Sequence, residues 1–501
     1  MKHRILHLLV AASFVSAAAC SILDEKVESF ITPDNFYLNV NQARAGLDGC
    51  YIPLRYIYTS TFELATEGVT DLCFSTSGAQ DAKLDISPAN PRFGKTMWTQ
   101  CYKGVRYCND AVYRLGLSPM DSVKTAPFIA EAKVLRGLYY YLLTSFFGDV
   151  PFYEEAVIDL DVLDRIQHLP RMSADDTRDF IVDDIASCIG ALPRGRSCDV
   201  ADERAGSAMG YMVMAKAAMW NRRWEDASVA LDSLESFYGA LSAYPLSDIP
   251  FRNKNTPESI FEIQHTYTRG GLSVVSNLAP MCMPQNHKSG TSIYSNVEIE
   301  ELGEEATVWE PIRPNRYFYE GLMPDSAGDL RKGMTCVLGW NGEPFINSSG
   351  SKVSRPYLGP KFWCPGMVST YDSNNYKVFR YADALLMQAE CLCMLDDRDG
   401  SLARLNQVKA RAGIKQLTSV SSTSRLMEEI QKERGRELFG EFQRKFDLVR
   451  WGIWYQVVND FSDYLSALRP YLQPCKEYYP IPDSECGLSG RALDNNAYEA
   501  K

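Results

Sequence analysis

The stretch YYYLLTSFFGDVP, residues 139–151, sets three aromatic rings in a row and then stops at a glycine, an acid and a proline. Reading back through PFIAEAKVLRGL, residues 127–138, places Leu135, Leu138, Leu142 and Phe146 on one helical face, with Val134, Leu138 and Tyr141 on an overlapping one. The spacing predicts a helix with little polar surface. It ends near Phe147, because Gly148 suits the left-handed conformation that closes a helix and Pro151 forbids continuation. About twenty residues at roughly 1.5 Å each make a rod of roughly 30 Å, long enough to cross a bilayer. Glu131, Lys133 and Arg136 in its first turns place it among other helices instead. Tyr139, Tyr140 and Tyr141 then read as packing residues whose hydroxyls end at a surface or a partner.

With 501 residues and 46% apolar composition, the chain can bury a large core. Its start, MKHRILHLLVAASFVSAAACS, has the basic head, apolar centre (Ile5 to Val15) and small-residue end of an export signal over residues 1–19. The formal net charge is -11, and without Lys2 and Arg4 of the signal 50 basic residues face 63 acidic ones, a net charge of -13. An acidic surface disfavours nucleic acid and anionic lipid, and no basic run reverses this. Ala17-Ala18-Ala19-Cys20 resembles a bacterial lipobox, with alanine where leucine is usual; the alternative is an ordinary signal cut after Ala19 that leaves Cys20 free. Lipidation of Cys20 makes a stable anchor, at about 0.8 kcal/mol per buried CH₂, and residues 20–37 a tether. Thirteen further cysteines remain, without a C-x-x-C; Cys391 and Cys393 point to different sides of a helix, which argues against zinc and for structural or paired roles.

Residues 38–501 read as one mostly α-helical domain: a helical half (38–240), a loop-rich part (241–375) and a helical end (376–501). The middle part holds 12 of the 25 prolines and 12 of the 33 glycines. It contains one alternating strand candidate, SIFEIQHTY, with Phe261, Ile263, His265 and Tyr267 on one face. Ala215 and Ala227, like Ala389 and Ser401, are small residues separated by the polar turns NRRWED and DDRDG, with Leu231 and Leu405 four further on. Such hairpins resemble the tetratricopeptide unit, here scattered rather than set in a regular solenoid.

Five motifs in order then carry a family resemblance: CSILDEK (20–26); EAKVLRGLYYYLLTSFFGDVPFY (131–153); RYADALLMQAECL (380–392) with LARLNQVKARAG (402–413); IQKERGRELFGEFQRKFDLVRWG (430–452); and YYPIPDSE (478–485) ahead of DNNAYEA (494–500). Together they resemble the SusD/RagB lipoproteins of the Bacteroidetes outer membrane. The family's last motif often ends in an Asn-Pro-Gly-Tyr run, where this chain has Asn496-Ala497-Tyr498. The resemblance implies a SusD-like fold of tetratricopeptide-like hairpins plus a loop-rich region with short β-strands that carries the ligand site. It also implies a lipid-anchored place on the cell surface and capture of oligosaccharide for a SusC-type TonB-dependent transporter. A branch of the family handles peptides.

Chemistry of other classes finds less support. Glu433, Glu437 and Glu441 recur at four-residue spacing on a helix expected over about 427–450, as a glycosidase's paired carboxylates would. Arg434, Arg436, Arg444 and Lys445 interleave with them and are expected to keep them ionised, on a helix whose other stripe is Leu438, Phe442, Phe446 and Val449. His168, His265 and His287 lack metal-ligand spacing, and no nucleophile elbow, zinc helix or phosphate loop occurs. No metal, cofactor or catalytic residue is therefore expected. Sugar binding needs flat apolar faces and short polar chains. The loops around DAKLDISPANPRFGKTMW, VWEPIRPNRYFYEG, GWNGEP and KFWCPG offer Trp98, Trp309, Tyr317, Tyr319, Trp340 and Trp363 as rings, and Arg313, Asn315 and Asn341 as donors. Trp220, Trp224, Trp451 and Trp454 lie in helical patterns and read as core.

Overall fold

A computed structural model describes residues 36–76, 81–268, 274–284, 299, 302, 312–346 and 350–496. Helices α1 (Val40–Ile57), α2 (Ser60–Thr66), α3 (Phe93–Gly116), α4 (Ser122–Phe147), α5 (Leu160–Gln167), α6 (Ala174–Cys188), α7 (Ser207–Trp220) and α8 (Trp224–Tyr238) occupy the first half. The C-terminal part holds α9 (Tyr381–Met394), α10 (Arg398–Arg411), α11 (Thr423–Glu437), α12 (Arg444–Arg450) and α13 (Trp454–Phe461). Many begin at a side-chain cap: Asn39, Asp121, Ser173, Asp397 and Ser422 each accept a backbone N–H from the first turn that follows.

The tyrosine-rich stretch forms the end of α4, where every residue from Val134 to Phe147 is buried and Gly148 closes the helix at φ 71°. The hydroxyls do find partners: Tyr139 donates to the Cys50 carbonyl at 2.6 Å and Tyr140 to that of Tyr153 at 2.7 Å. Gly104 makes the crossing of α3 and α4 possible, since a Cβ there would lie 2.2 Å from the Tyr139 ring. From α4 the packing runs through α6 and α7 to the hairpin α7–α8, whose second helix lies against α9 of the hairpin α9–α10. The small residues sit at these crossings as expected: Ala215, Ala227, Ala389 and Ser401 are fully buried, and the Ser401 hydroxyl donates to the Ala389 carbonyl at 2.6 Å.

Two expectations need correction. The strand candidate is β2 (Ser259–Ile263), which ends before His265 and is buried on both faces, because it pairs antiparallel with β8 (Tyr376–Arg380) inside the helical scaffold. The helix expected over about 427–450 is two helices. α11 stops at Glu437, and left-handed Gly440 (φ 70°) and Phe442 (φ 63°) turn the chain before α12 begins at Arg444. Phe442 still packs in the core, against Tyr376 at 5.3 Å and Phe62 at 5.6 Å.

The loop-rich part has a core of its own, in which Met283, Val337, Phe345, Tyr357, Trp363 and Met367 are buried together, with Trp340 half-buried against them. Short antiparallel pairs frame it: β1 (Cys73–Ser75) with β3 (Ile312–Pro314), β4 (Cys336–Val337) with β7 (Tyr357–Leu358), and β5 (Gly339–Trp340) with β6 (Glu343–Pro344). None of the thirteen described cysteines, from Cys50 to Cys486, is in a disulfide, and eleven of them are buried.

Two carboxyls, Glu63 on α2 and Glu67 just after it, are fully buried. Burial pushes Glu67 up to about 8, outweighing the backbone N–H that Arg444 donates to it at 3.3 Å and the charges of Arg444 and Lys361. The folded state therefore keeps a proton that the unfolded chain releases near its ordinary value of 4.5, so this group's contribution to stability is full in acid and is lost as pH rises toward 8. Glu67→Gln should remove that slope. Between pH 5 and 8 the parent is expected to lose about 3 kcal/mol more stability than the variant in denaturant titrations, and identical pH profiles would show that Glu67 is not the buried acid described.

Candidate functional site

The acids of α11 point inward. Glu437 has no exposure and meets Arg331 at 2.6 Å, Arg380 at 2.6 Å and Arg411. Burial alone would raise its pKa, but the guanidiniums of Arg411, Arg380 and Arg331 outweigh that and hold the carboxyl well below the usual range. Glu441, in the turn between helices, is clamped by Arg380 at 2.7 Å and Lys361 at 2.6 Å. Of the interleaved cations only Arg436 serves an acid of this helix, Glu433 at 2.8 Å; Arg434 pairs with Asp447 and Asp383, Arg444 with Asp71, and Lys445 reaches a backbone carbonyl. A carboxyl held ionised behind three guanidiniums has no proton to lend a leaving group. Among the described residues, no group of three or more His, Cys, Asp or Glu is placed to hold a metal ion. Burial pushes His265 down to about 4, which leaves it neutral.

A cleft of about 730 Å³ opens on the loop-rich body, walled by Tyr319, Leu338 and Pro356, with Glu320, Asp325, Lys332 and Ser354 as its polar groups. Tyr319 comes from a π-helical turn, Tyr317–Leu322, a rare geometry that recurs at functional sites. Its neighbour Tyr317 stacks on Phe461 with ring centroids 4.1 Å apart, which fixes the turn against α13. On the opposite side Arg313 donates from Nε to the Pro356 carbonyl at 3.0 Å and from Nη2 to that of Arg355 at 2.8 Å, while lying 3.9 Å over the Tyr357 ring. Arg313 therefore holds the Pro356 wall in place. Lys332 is tied to Asp325 at 2.5 Å, so the floor presents paired charges rather than a single sign.

The remaining expected residues fall in several places. Asn315 is fully buried, donates to the Thr70 carbonyl at 2.9 Å and accepts from the Asp463 N–H at 2.9 Å, so its side chain staples β3 to the ends of neighbouring segments. Trp363 is 2% exposed, its indole N–H donating to the Leu358 carbonyl at 3.0 Å, and it supports Trp340 at 4.7 Å between rings. The indole nitrogen of Trp340 has no hydrogen-bond partner among the described residues. Asn341 stands exposed at the tip of the β5–β6 hairpin, where it and Gly342 both have positive φ, 50° and 85°. Asn-Gly is the signature of that turn, so the segment GWNGEP, expected as a loop, is a hairpin. Trp98 lies apart, on α3, edge-on to Phe147 at 5.2 Å, and lines a different cleft. Trp309, His287 and Cys20 lie outside the described residues. Sequence reasoning missed Leu338, Ser354 and Pro356, small or aliphatic residues whose value is set by position alone.

The architecture is that of a mostly helical scaffold of stacked hairpins which carries a loop-rich body with its own core and cleft. A family described as "SusD family" matches residues 357–498, and one described as "Starch-binding associating with outer membrane" matches residues 37–216. The chain belongs to the SusD/RagB family. SusD-like protein P25 of Formosa agariphila is 24% identical, with 95% of each chain covered. Among solved structures, surface glycan-binding protein A from Bacteroides uniformis aligns with a TM-score of 0.72 and 22% identity over 92% of this chain and 100% of that one. Surface glycan-binding protein A from Bacteroides thetaiotaomicron, in complex with laminarihexaose, aligns with a TM-score of 0.69 and 19% identity over 91% and 98%. At these identities the likeness establishes the SusD fold.

Removing one charge from the buried network should be costly. Glu437→Gln leaves Arg331, Arg380 and Arg411 facing a neutral amide, and a loss of about 3 to 5 kcal/mol is expected, read as a lower denaturation midpoint; a variant as stable as the parent would mean that the three guanidiniums do not depend on this carboxylate.

Proposed function

We propose that this protein is a cell-surface, lipid-anchored receptor that captures oligosaccharide and passes it to a SusC-type TonB-dependent transporter. The observation that carries the reading is the cleft on the loop-rich body, with a tyrosine edge, a proline face and a leucine beside short polar groups. That is the mixture a pyranose needs, with C–H faces against apolar surface and hydroxyls against directed partners. The family's description as starch-binding and outer-membrane associated supports it, as do the glycan ligands named for the structural relatives. The buried, ion-paired acids support binding rather than hydrolysis. Cys20 would carry the lipid, and no described helix is long and apolar enough to cross a membrane. Trp309 is proposed to contribute a further ring, and Trp340 and the hairpin tip Asn341 further contacts.

Tyr319→Ala and Trp340→Ala should each weaken binding of the preferred glycan, identified on a glycan array of the mature chain, by roughly 1 to 3 kcal/mol, about 5- to 150-fold. Tyr140→Ala should instead lower the melting temperature and leave affinity unchanged in the folded fraction. Array binding confined to peptides, or none to any glycan, would overturn the reading. Cys20→Ala should release the protein from the outer-membrane fraction, and native purification should recover a large barrel partner with it. Recovery of the native protein only as a free monomer would sink the transporter role even if sugar bound.

A further inference from the structure

We propose that the chain carries a second carbohydrate site, separate from the cleft on the loop-rich body, in the cleft covered by α5. This inference rests on the sugar-binding reading and extends it to a part of the helical scaffold with no assigned role.

α5 is an eight-residue helix with no buried residue. Leu160 is 79% exposed, Leu163 44% and Ile158, just before it, 54%. A helix with so little burial draws little stability from packing. It is held at its margins instead: Asp159 caps it by accepting the Val162 N–H at 2.8 Å, Arg165 pairs with Glu155, and Gln167 donates to the Leu488 carbonyl at 2.5 Å. Behind it, Val150 and Met172 exchange backbone hydrogen bonds at 3.1 and 2.9 Å and close residues 151–171 into a strap.

The strap does not collapse onto the scaffold. Under it lies a cleft of about 390 Å³, a size that suits a small ligand. Its inner wall is aromatic: Trp98 and Tyr102 stand one helical turn apart on α3 with centroids 4.8 Å apart, and Tyr153 lies parallel to Tyr102 within 6° at 6.3 Å. Tyr102 is fixed by donating to the Pro151 carbonyl at 2.7 Å. The Tyr153 hydroxyl, by contrast, makes no hydrogen bond among the described residues. The opposite wall brings Glu485, which has no ion pair among the described residues, and no cationic side chain lines the cleft. Ring faces and the Tyr153 hydroxyl on one side, with the Glu485 carboxylate on the other, contacted among the described residues only by the neighbouring Ser484 hydroxyl at 3.5 Å, suit a neutral, polyhydroxylated ring and disfavour phosphate or uronate. None of the residues lining this cleft lines the other one, so one long glycan chain or two short ones can be held at two places, and a polymer gains avidity over a hexamer.

The test is calorimetric titration of the mature chain with laminarihexaose and, separately, with maltohexaose. Two equivalents per chain are expected for at least one of them. Tyr153→Ala and Glu485→Gln should each remove one equivalent without shifting the melting temperature, and Leu163→Trp, which fills the cleft from the exposed helix, should do the same. Tyr319→Ala should remove the other equivalent and leave this one. A single equivalent that responds to Tyr319→Ala and ignores Tyr153→Ala, Glu485→Gln and Leu163→Trp overturns the second site while the sugar-binding reading stands. A single equivalent that responds only to the Tyr153, Glu485 and Leu163 variants supports this cleft and overturns the placement on the loop-rich body. No heat with either sugar overturns the second site as drawn here.

Discussion

The buried ionic knot centred on Arg380 ties together segments that lie far apart in the sequence. Its guanidinium reaches Glu258 ahead of β2, Glu437 at the end of α11 and Glu441 in the turn that follows, while Arg331 and Lys361 arrive from the loop-rich body and Arg411 from α10. Desolvating that many charges costs a great deal, and a well-packed apolar replacement often matches such a network in stability. What the knot supplies is specificity. Charges buried this deeply tolerate few arrangements, so the register between the helical scaffold and the loop-rich body is set to within a hydrogen bond.

That register positions the cleft. The loop-rich body owns a small core and short two-stranded pairs, none of which would be stable alone. Anchored by the knot and by Asn315, it can hold Tyr319 and the Pro356 wall at a fixed separation even though both sit on irregular backbone. A scaffold of hairpins that spends its polar groups internally leaves the loops free to vary in shape, which is how one fold serves many ligands.

The helices were legible because their information is local. Apolar spacing, caps and the Gly148–Pro151 stop fixed α4 to its last residue, and small residues at equal spacing revealed both hairpins. The misreadings share one cause, which is that periodicity says nothing about partners distant in sequence. β2 looked half-exposed because its cover, β8 and the scaffold, is more than a hundred residues away. The acids of α11 are neutralised as expected, but of the arginines beside them only Arg436 takes part, on Glu433; Glu437 is held by Arg331, Arg380 and Arg411, which arrive from elsewhere in the sequence. The broken helix at Gly440 carried a local signal, a glycine in the pattern, that its strong flanks obscured. The candidate site was the least legible part: an aromatic residue looks alike in sequence whether it faces solvent, as Trp340 partly does, or props up another ring, as Trp363 does.

The absence of a disulfide among the thirteen described cysteines has a consequence for where the chain can fold. A fold whose closure owes nothing to cystine needs no oxidant and no isomerase, and it is indifferent to reductants in its surroundings. Burial pushes thiols such as Cys101 and Cys73 far up in pKa, so the nucleophilic thiolate is scarce and the interior is chemically quiet. Only Cys198 stands exposed among the described cysteines, which makes it a natural single point at which a spectroscopic label reports on the intact molecule.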